Sequence, residues 1–152
     1  MTHIRQVVKW VVVVLIIVLG AMQLVPVDRT NPPIETEVAA TAQVRSVLRR
    51  ACYGCHSNET VWPWYSRIAP VSWLVAHDVH DGREELNFST WNRYTTEQQL
   101  KKLKKSGDEV AEGEMPPWIY LPLHPDARLS ADDRALLRGW AQSGSSRESN
   151  AR

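Results

Sequence analysis

The chain has 152 residues, a length that suits one domain with an appendage and leaves no room for a second core. Its 18 basic and 17 acidic residues give a formal net charge of +1, without the basic excess that marks nucleic-acid binders. Nucleic acid is therefore not among the expected partners.

Arg5 and Lys9 precede an apolar run from Trp10 to Val25 that only Gln23 interrupts. Counted from Val7 with Lys9 snorkelling, residues 7–25 would span about 28 Å as a helix, close to the hydrocarbon thickness of a bilayer. The run is long for the apolar region of a signal peptide, and no A-x-A-like cleavage site precedes Pro26, so residues 1–25 are predicted to be an uncleaved signal anchor. Positive charge before the run and Asp28 after it predict an N-terminus in the cytoplasm, a single pass through the inner (cytoplasmic) membrane and a periplasmic remainder. Residues 26–36 carry three prolines and read as a stiff linker. Residues 37–144 then form the soluble domain, and 145–152 a polar tail.

Within that domain, Val44, Val47, Leu48 and Ala51 recur at helical spacing, predicting an amphipathic helix over Glu37–Ala51. Pro63 and Pro70 break the next stretch, and a second helix is predicted from about Val71 to Leu86. A third starts at Thr95, with Gln98 completing a capping box and Gly107 as the expected stop. The segment "GEMPPWIYLPLHPDA" is too rich in proline for regular structure. A last helix follows Ser130 and Asp133, with Leu136, Leu137 and Trp140 on one stripe and Gly144 near its end. No alternating strand is evident, so the fold class is all-α. Roughly a hundred residues with such long connections bury little core of their own, and something other than side chains is expected to fill the centre.

The only cysteines, Cys52 and Cys55, lie in Cys-Tyr-Gly-Cys-His, with His56 directly after the second. In this spacing two thiols can add to the two vinyl groups of one haem while the histidine meets the iron. A redox disulfide would be expected beside a βαβ pattern, and a zinc site would need a second pair of ligands that His77, His80 and His124 do not supply at any common spacing. One covalent haem c is the expected cofactor.

For the sixth position, Met115 is the candidate: the other methionines are the initiator and Met22 in the anchor, and Pro116 and Pro117 stiffen the loop behind it. Its alternatives are core packing for Met115 and a histidine, His124, His77 or His80, at the iron. His77 and His80 also suit a small metal site or a polar rim. Trp62 or Trp64 could wall the haem, and Arg67 or Arg83 could pair with a propionate. Lys101, Lys102, Lys104 and Lys105 suit either a solvated helix face or an acidic partner.

The strings "CYGCHSNETVWPWYSRIAPVSWLVAHDVHDGREELNFSTW" and "GEMPPWIYLPLHPDARLS" resemble the bacterial haem-binding domain family of small exported proteins with one CxxCH. The likeness covers about Val44 to Trp140. It implies covalent haem at Cys52 and Cys55 with His56 as axial ligand, and Met115 and His124 belong to the family pattern too. The order of helix, CxxCH, Met-Pro and final helix also looks like the small monohaem cytochromes c. In that resemblance the first and last helices cross, bringing Val44, Leu48 and Ala51 against Leu137 and Trp140.

The expectation is a membrane-anchored periplasmic monohaem cytochrome c-like domain, wrapped around its haem, that passes single electrons to redox partners at the membrane and is not an enzyme. A peroxidase-like enzyme with a displaceable sixth ligand, or a haem sensor or complex subunit, stands as the alternative.

Overall fold

A computed structural model describes residues 2–149. These are helical, with α1 (Thr2–Met22), α2 (Ala42–Ala51), α3 (Tyr53–His56), α4 (Val71–Glu85), α5 (Thr96–Glu112) and α6 (Ala131–Ser149). Among the described residues the single extended pairing is an isolated parallel bridge between Thr36 and Thr90. They form two compact units, one of residues up to Thr30 with Trp62–Asp78, the other of Asn31–Val61 with residues from Val79 onward.

In the first unit, α1 is apolar and exposed along its length. Its stretch His3–Met22 has a mean hydropathy of 2.2 and is long enough to cross a membrane. Beyond its end, the Gln23 amide pairs with both backbone groups of Ala69: Nε2 donates to the carbonyl at 3.2 Å, and Oε1 accepts the N–H at 3.0 Å. Arg29 donates to the Ser66 carbonyl, inside a short 3-10 turn over Trp64–Arg67.

In the second unit the core is a buried cluster that joins Val44, Val47, Leu48 and Ala51 of α2 to Leu103 and Val110 of α5 and Leu137 of α6, with Phe88 and Trp91 between them. The stripe spaced at helical period thus faces inward, and α2 packs on α6 as the cytochrome-like order suggests. Trp140 packs against the cluster, and its indole N–H donates to the Ala39 carbonyl at 3.1 Å.

Three details differ from the sequence expectation. Helix α2 begins at Ala42 rather than Glu37, because the Thr41 hydroxyl accepts the Val44 N–H as N-cap. The residues before it spend their backbone donors elsewhere: Glu35 and Thr36 N–H on the Ser89 carbonyl, Val38 N–H on that of Phe88. The end of the proline-containing linker is therefore bound to the Phe88 loop from Glu35. Helix α5 runs past Gly107 and stops at Gly113, whose φ of 82° closes its last turn. A Cβ on Gly107 would stand 3.0 Å from the Ala141 Cβ, so that glycine serves close packing of α5 on α6 instead of termination. Helix α6 likewise continues through Gly144 to Ser149; of the predicted tail, 150–152 lie outside the described residues. Both expected capping boxes form, Thr95 with Gln98 and Ser130 with Asp133.

Candidate haem site

Helix α2 ends in the cysteine motif. The Cys52 N–H closes its last turn on the Leu48 carbonyl at 2.8 Å, and a change of backbone direction at Cys52 (φ −125°) starts the one-turn α3. The Cys52 carbonyl accepts the N–H groups of Cys55 at 3.2 Å and His56 at 2.9 Å, so both thiols and the imidazole issue from a single turn. Cys52 and Cys55 are not joined in a disulfide, and burial pushes the Cys52 thiol up to about 12, with Cys55 adding to the shift.

Helix α4 fixes the histidine. Its ring Nδ1 lies 2.8 Å from the Gly82 carbonyl and 3.1 Å from that of Leu86. Carbonyls only accept, so Nδ1 carries the proton and Nε2 keeps its lone pair. Burial pulls the His56 pKa below its ordinary value, against the opposing effect of the two carbonyls, which keeps the ring neutral. The approach is possible because position 82 has no side chain: a Cβ there would stand 2.8 Å from the Cys55 carbonyl oxygen and 3.0 Å from its Cβ. The Phe88 N–H holds the His56 carbonyl at 2.8 Å, and the Phe88 ring meets the imidazole edge at 6.5 Å between centroids. Phe88 also stacks on Tyr53 and Trp91.

Next to it, Arg83 is committed to protein. Its Nε donates to the Ser57 carbonyl and Nη2 to Asn31 Oδ1 and Thr60 Oγ1, which binds the turn after the motif. A buried amide network, Asn87 Nδ2 to Asn58 Oδ1 and Asn58 Nδ2 to the Pro33 carbonyl, closes the same loops.

Met115 follows the left-handed turn at Gly113 and, like Cys52 and Tyr120, packs half-buried against the central cluster. Arg134 steadies this corner by donating to the Val110 carbonyl at 2.9 Å. The Tyr120 hydroxyl lies 3.0 Å from where a Cβ on Gly54 would be, so the proline-rich loop touches the CxxCH backbone, and His124 stacks on the Tyr120 ring at 3.8 Å. His124 is half-buried and its pKa is lowered by desolvation. Met115 and His124 thus both belong to the unit that carries the motif. His77, Trp62, Trp64 and Arg67 belong to the first unit. His80 is exposed beside Glu84 and, with Asp81, forms an open surface cluster.

The family model for the haem-binding domain matches residues 17–143, most of the chain. The chain belongs to the haem-binding domain family. Comparison of this haem-binding domain with curated proteins and with solved structures returned no match.

The residues present fit a haem: two cysteine side chains one turn apart, an imidazole already held in the tautomer that offers Nε2, and a half-buried thioether on a capped loop. Sequence reading missed Gly82 and Phe88. A lone glycine within a helical pattern was the signal for the first, since it marks either a weak point or a close approach.

The lysine run is largely occupied by local partners. Lys102 reaches the Glu85 carbonyl and the Tyr94 ring, Lys104 pairs with Asp108 and Lys105 with Glu85. That supports a solvated helix face.

Proposed function

We propose that this haem-binding domain is a membrane-anchored, extracytoplasmic monohaem c-type cytochrome that passes single electrons and is not an enzyme. The observation that carries the reading is the His56 imidazole, protonated at Nδ1 by contact with two carbonyls, in the same turn as both cysteines. Cys52 and Cys55 would hold the haem through thioether links, each S–H adding across one vinyl group with no net oxidation. His56 would offer Nε2 to the iron, and the Gly82 and Leu86 carbonyls at Nδ1 would raise its basicity through the ring. Bound haem supplies a one-electron couple. Met115 would supply the sixth ligand, its loop fixed by Gly113, Arg134 and the contact of Tyr120 with Gly54. Partners are redox proteins at the membrane, and α1 is the anchor.

Spectra of the purified protein in both oxidation states, with and without carbon monoxide, test the reading. Methionine ligation predicts a weak far-red ferric band and a ferrous form that resists carbon monoxide. A second reading has one specific support: His124 lies on Tyr120, against the motif, as an alternative ligand or an acid–base group. A missing far-red band, ready carbon monoxide binding and a spectral change in His124→Ala would favour it and a displaceable ligand.

A further inference from the structure

The first unit carries an apolar surface that no function has yet used. Trp64 is 71% exposed, Ile68 47% and Leu74 61%, with Val71 between the last two. Four large apolar side chains within eleven residues exceed the scatter of single exposed residues on a protein surface. The segment is stiff rather than loose: the Ser66 hydroxyl and N–H both donate to the Pro63 carbonyl, the Trp64 and Tyr65 rings meet edge to face, and α4 begins at Val71.

What identifies the occupant is the attachment of this segment. The paired hydrogen bonds between the Gln23 amide and Ala69 tie it to the first residue after α1, and the Arg29 bond to the Ser66 carbonyl adds a second tie a few residues on. If α1 spans a bilayer, as the proposed function holds, Gln23 emerges at the boundary between acyl chains and headgroups, and Ala69 is held there with it. Tryptophan with aliphatic neighbours and a cation is the composition that settles at that depth. Arg67, exposed in the same turn, supplies a guanidinium suited to lipid phosphate.

We infer that Trp64, Ile68, Val71 and Leu74 form a lipid-binding surface that lies in the membrane interface beside the exit of α1, so that the protein holds the bilayer by a spanning helix and a second, peripheral foot. The inference rests on the anchor reading.

The test uses the full haem-loaded chain in vesicles of phosphatidylethanolamine with a minority of phosphatidylglycerol. A benzophenone amino acid replaces, one at a time, Trp64, Leu74, Trp10 in α1 and, for background, the exposed Lys101 on α5; lipid adducts are counted by mass after irradiation. Adducts at positions 64 and 74 several-fold above background, together with adducts at position 10, are expected. Adducts at position 10 with background yield at 64 and 74, or crosslinks from 64 and 74 to protein instead of lipid, would overturn the lipid surface while leaving the anchor standing. Background yield at position 10 as well would overturn both. Trp64→Ser with Leu74→Ser should keep the haem spectrum unchanged and raise hydrogen exchange of the 64–74 amides in vesicles. Equal exchange in wild type and variant would contradict the proposal.

Discussion

Replacement of Gly82 by alanine sets two opposed effects against each other within one helix. In an exposed helix interior, Gly→Ala stabilises by about 1 kcal/mol, because glycine loses more backbone entropy. At position 82 the new Cβ would fall 2.8 Å from the Cys55 carbonyl oxygen, 3.0 Å from its Cβ and 3.1 Å from its carbonyl carbon. Two of the three are backbone atoms of the motif turn and cannot rotate away. Overpacking of this kind costs about 1–3 kcal/mol. Retreat of α4 also lengthens the His56 bonds to Gly82 and Leu86, each worth about 0.5–1.5 kcal/mol net. The clash wins, and Gly82→Ala should destabilise the protein by about 1–4 kcal/mol. Gly139, on the exposed side of α6 with nothing within 4 Å of its would-be Cβ, is the internal control: there alanine should stabilise by about 1 kcal/mol. Denaturant unfolding of the haem-loaded variants, followed by circular dichroism, gives both values. The Gly82 variant should in addition have a raised reduction potential, because a less basic imidazole favours ferrous iron. A Gly82→Ala protein as stable as the Gly139→Ala control, with an unchanged potential, would refute the claim that α4 is shaped to hold His56.

Other outcomes follow from the same packing. Phe88→Ala removes a 2% exposed ring stacked between Tyr53 and Trp91 and should cost about 3–5 kcal/mol in denaturant unfolding. Asp133, paired with Arg50 at 2.6 Å and capping α6 with Ser130, has its pKa lowered from 3.8 to about 2. Its contribution, about 1 kcal/mol after allowance for partial exposure, is present above about pH 4 and lost as pH falls through about 2. Asp133→Asn should therefore be less stable than wild type at neutral pH and converge with it in acid, as thermal unfolding across pH would show. Met115→Ala should abolish the far-red ferric band and admit carbon monoxide in the ferrous state, whereas His80→Ala should leave both as in wild type.

The helical class, both capping boxes and the inward stripe of α2 were legible because each depends on residues within one or two turns, as with Thr95 and Gln98 or Val44 and Leu48. Boundaries failed where a distant residue decided them. Gly107 looks like a stop until Ala141 is known to face it, and Glu37 looks helical until the Phe88 and Ser89 carbonyls are known to hold the chain just before and after it. In the candidate site, Cys52, Cys55 and His56 could be read directly, since one turn contains them. The parts that orient them could not, since Gly82, Leu86 and Phe88 reach His56 only through the packing of α4 and its following loop. The contacts of Arg83 were hidden for the same reason: its partners Ser57, Asn31 and Thr60 lie far from it along the chain.

Everything proposed for this protein depends on one haem held covalently by Cys52 and Cys55, with His56 as its ligand. The most direct measurement is the mass of the full chain, expressed with the cell's haem-attachment machinery and denatured before analysis. Wild-type protein should be heavier by one haem and keep its haem staining through denaturation, and Cys52→Ala with Cys55→Ala should lose both. A wild-type mass equal to that of the bare polypeptide, or covalent haem that persists in the double variant, would contradict that attachment.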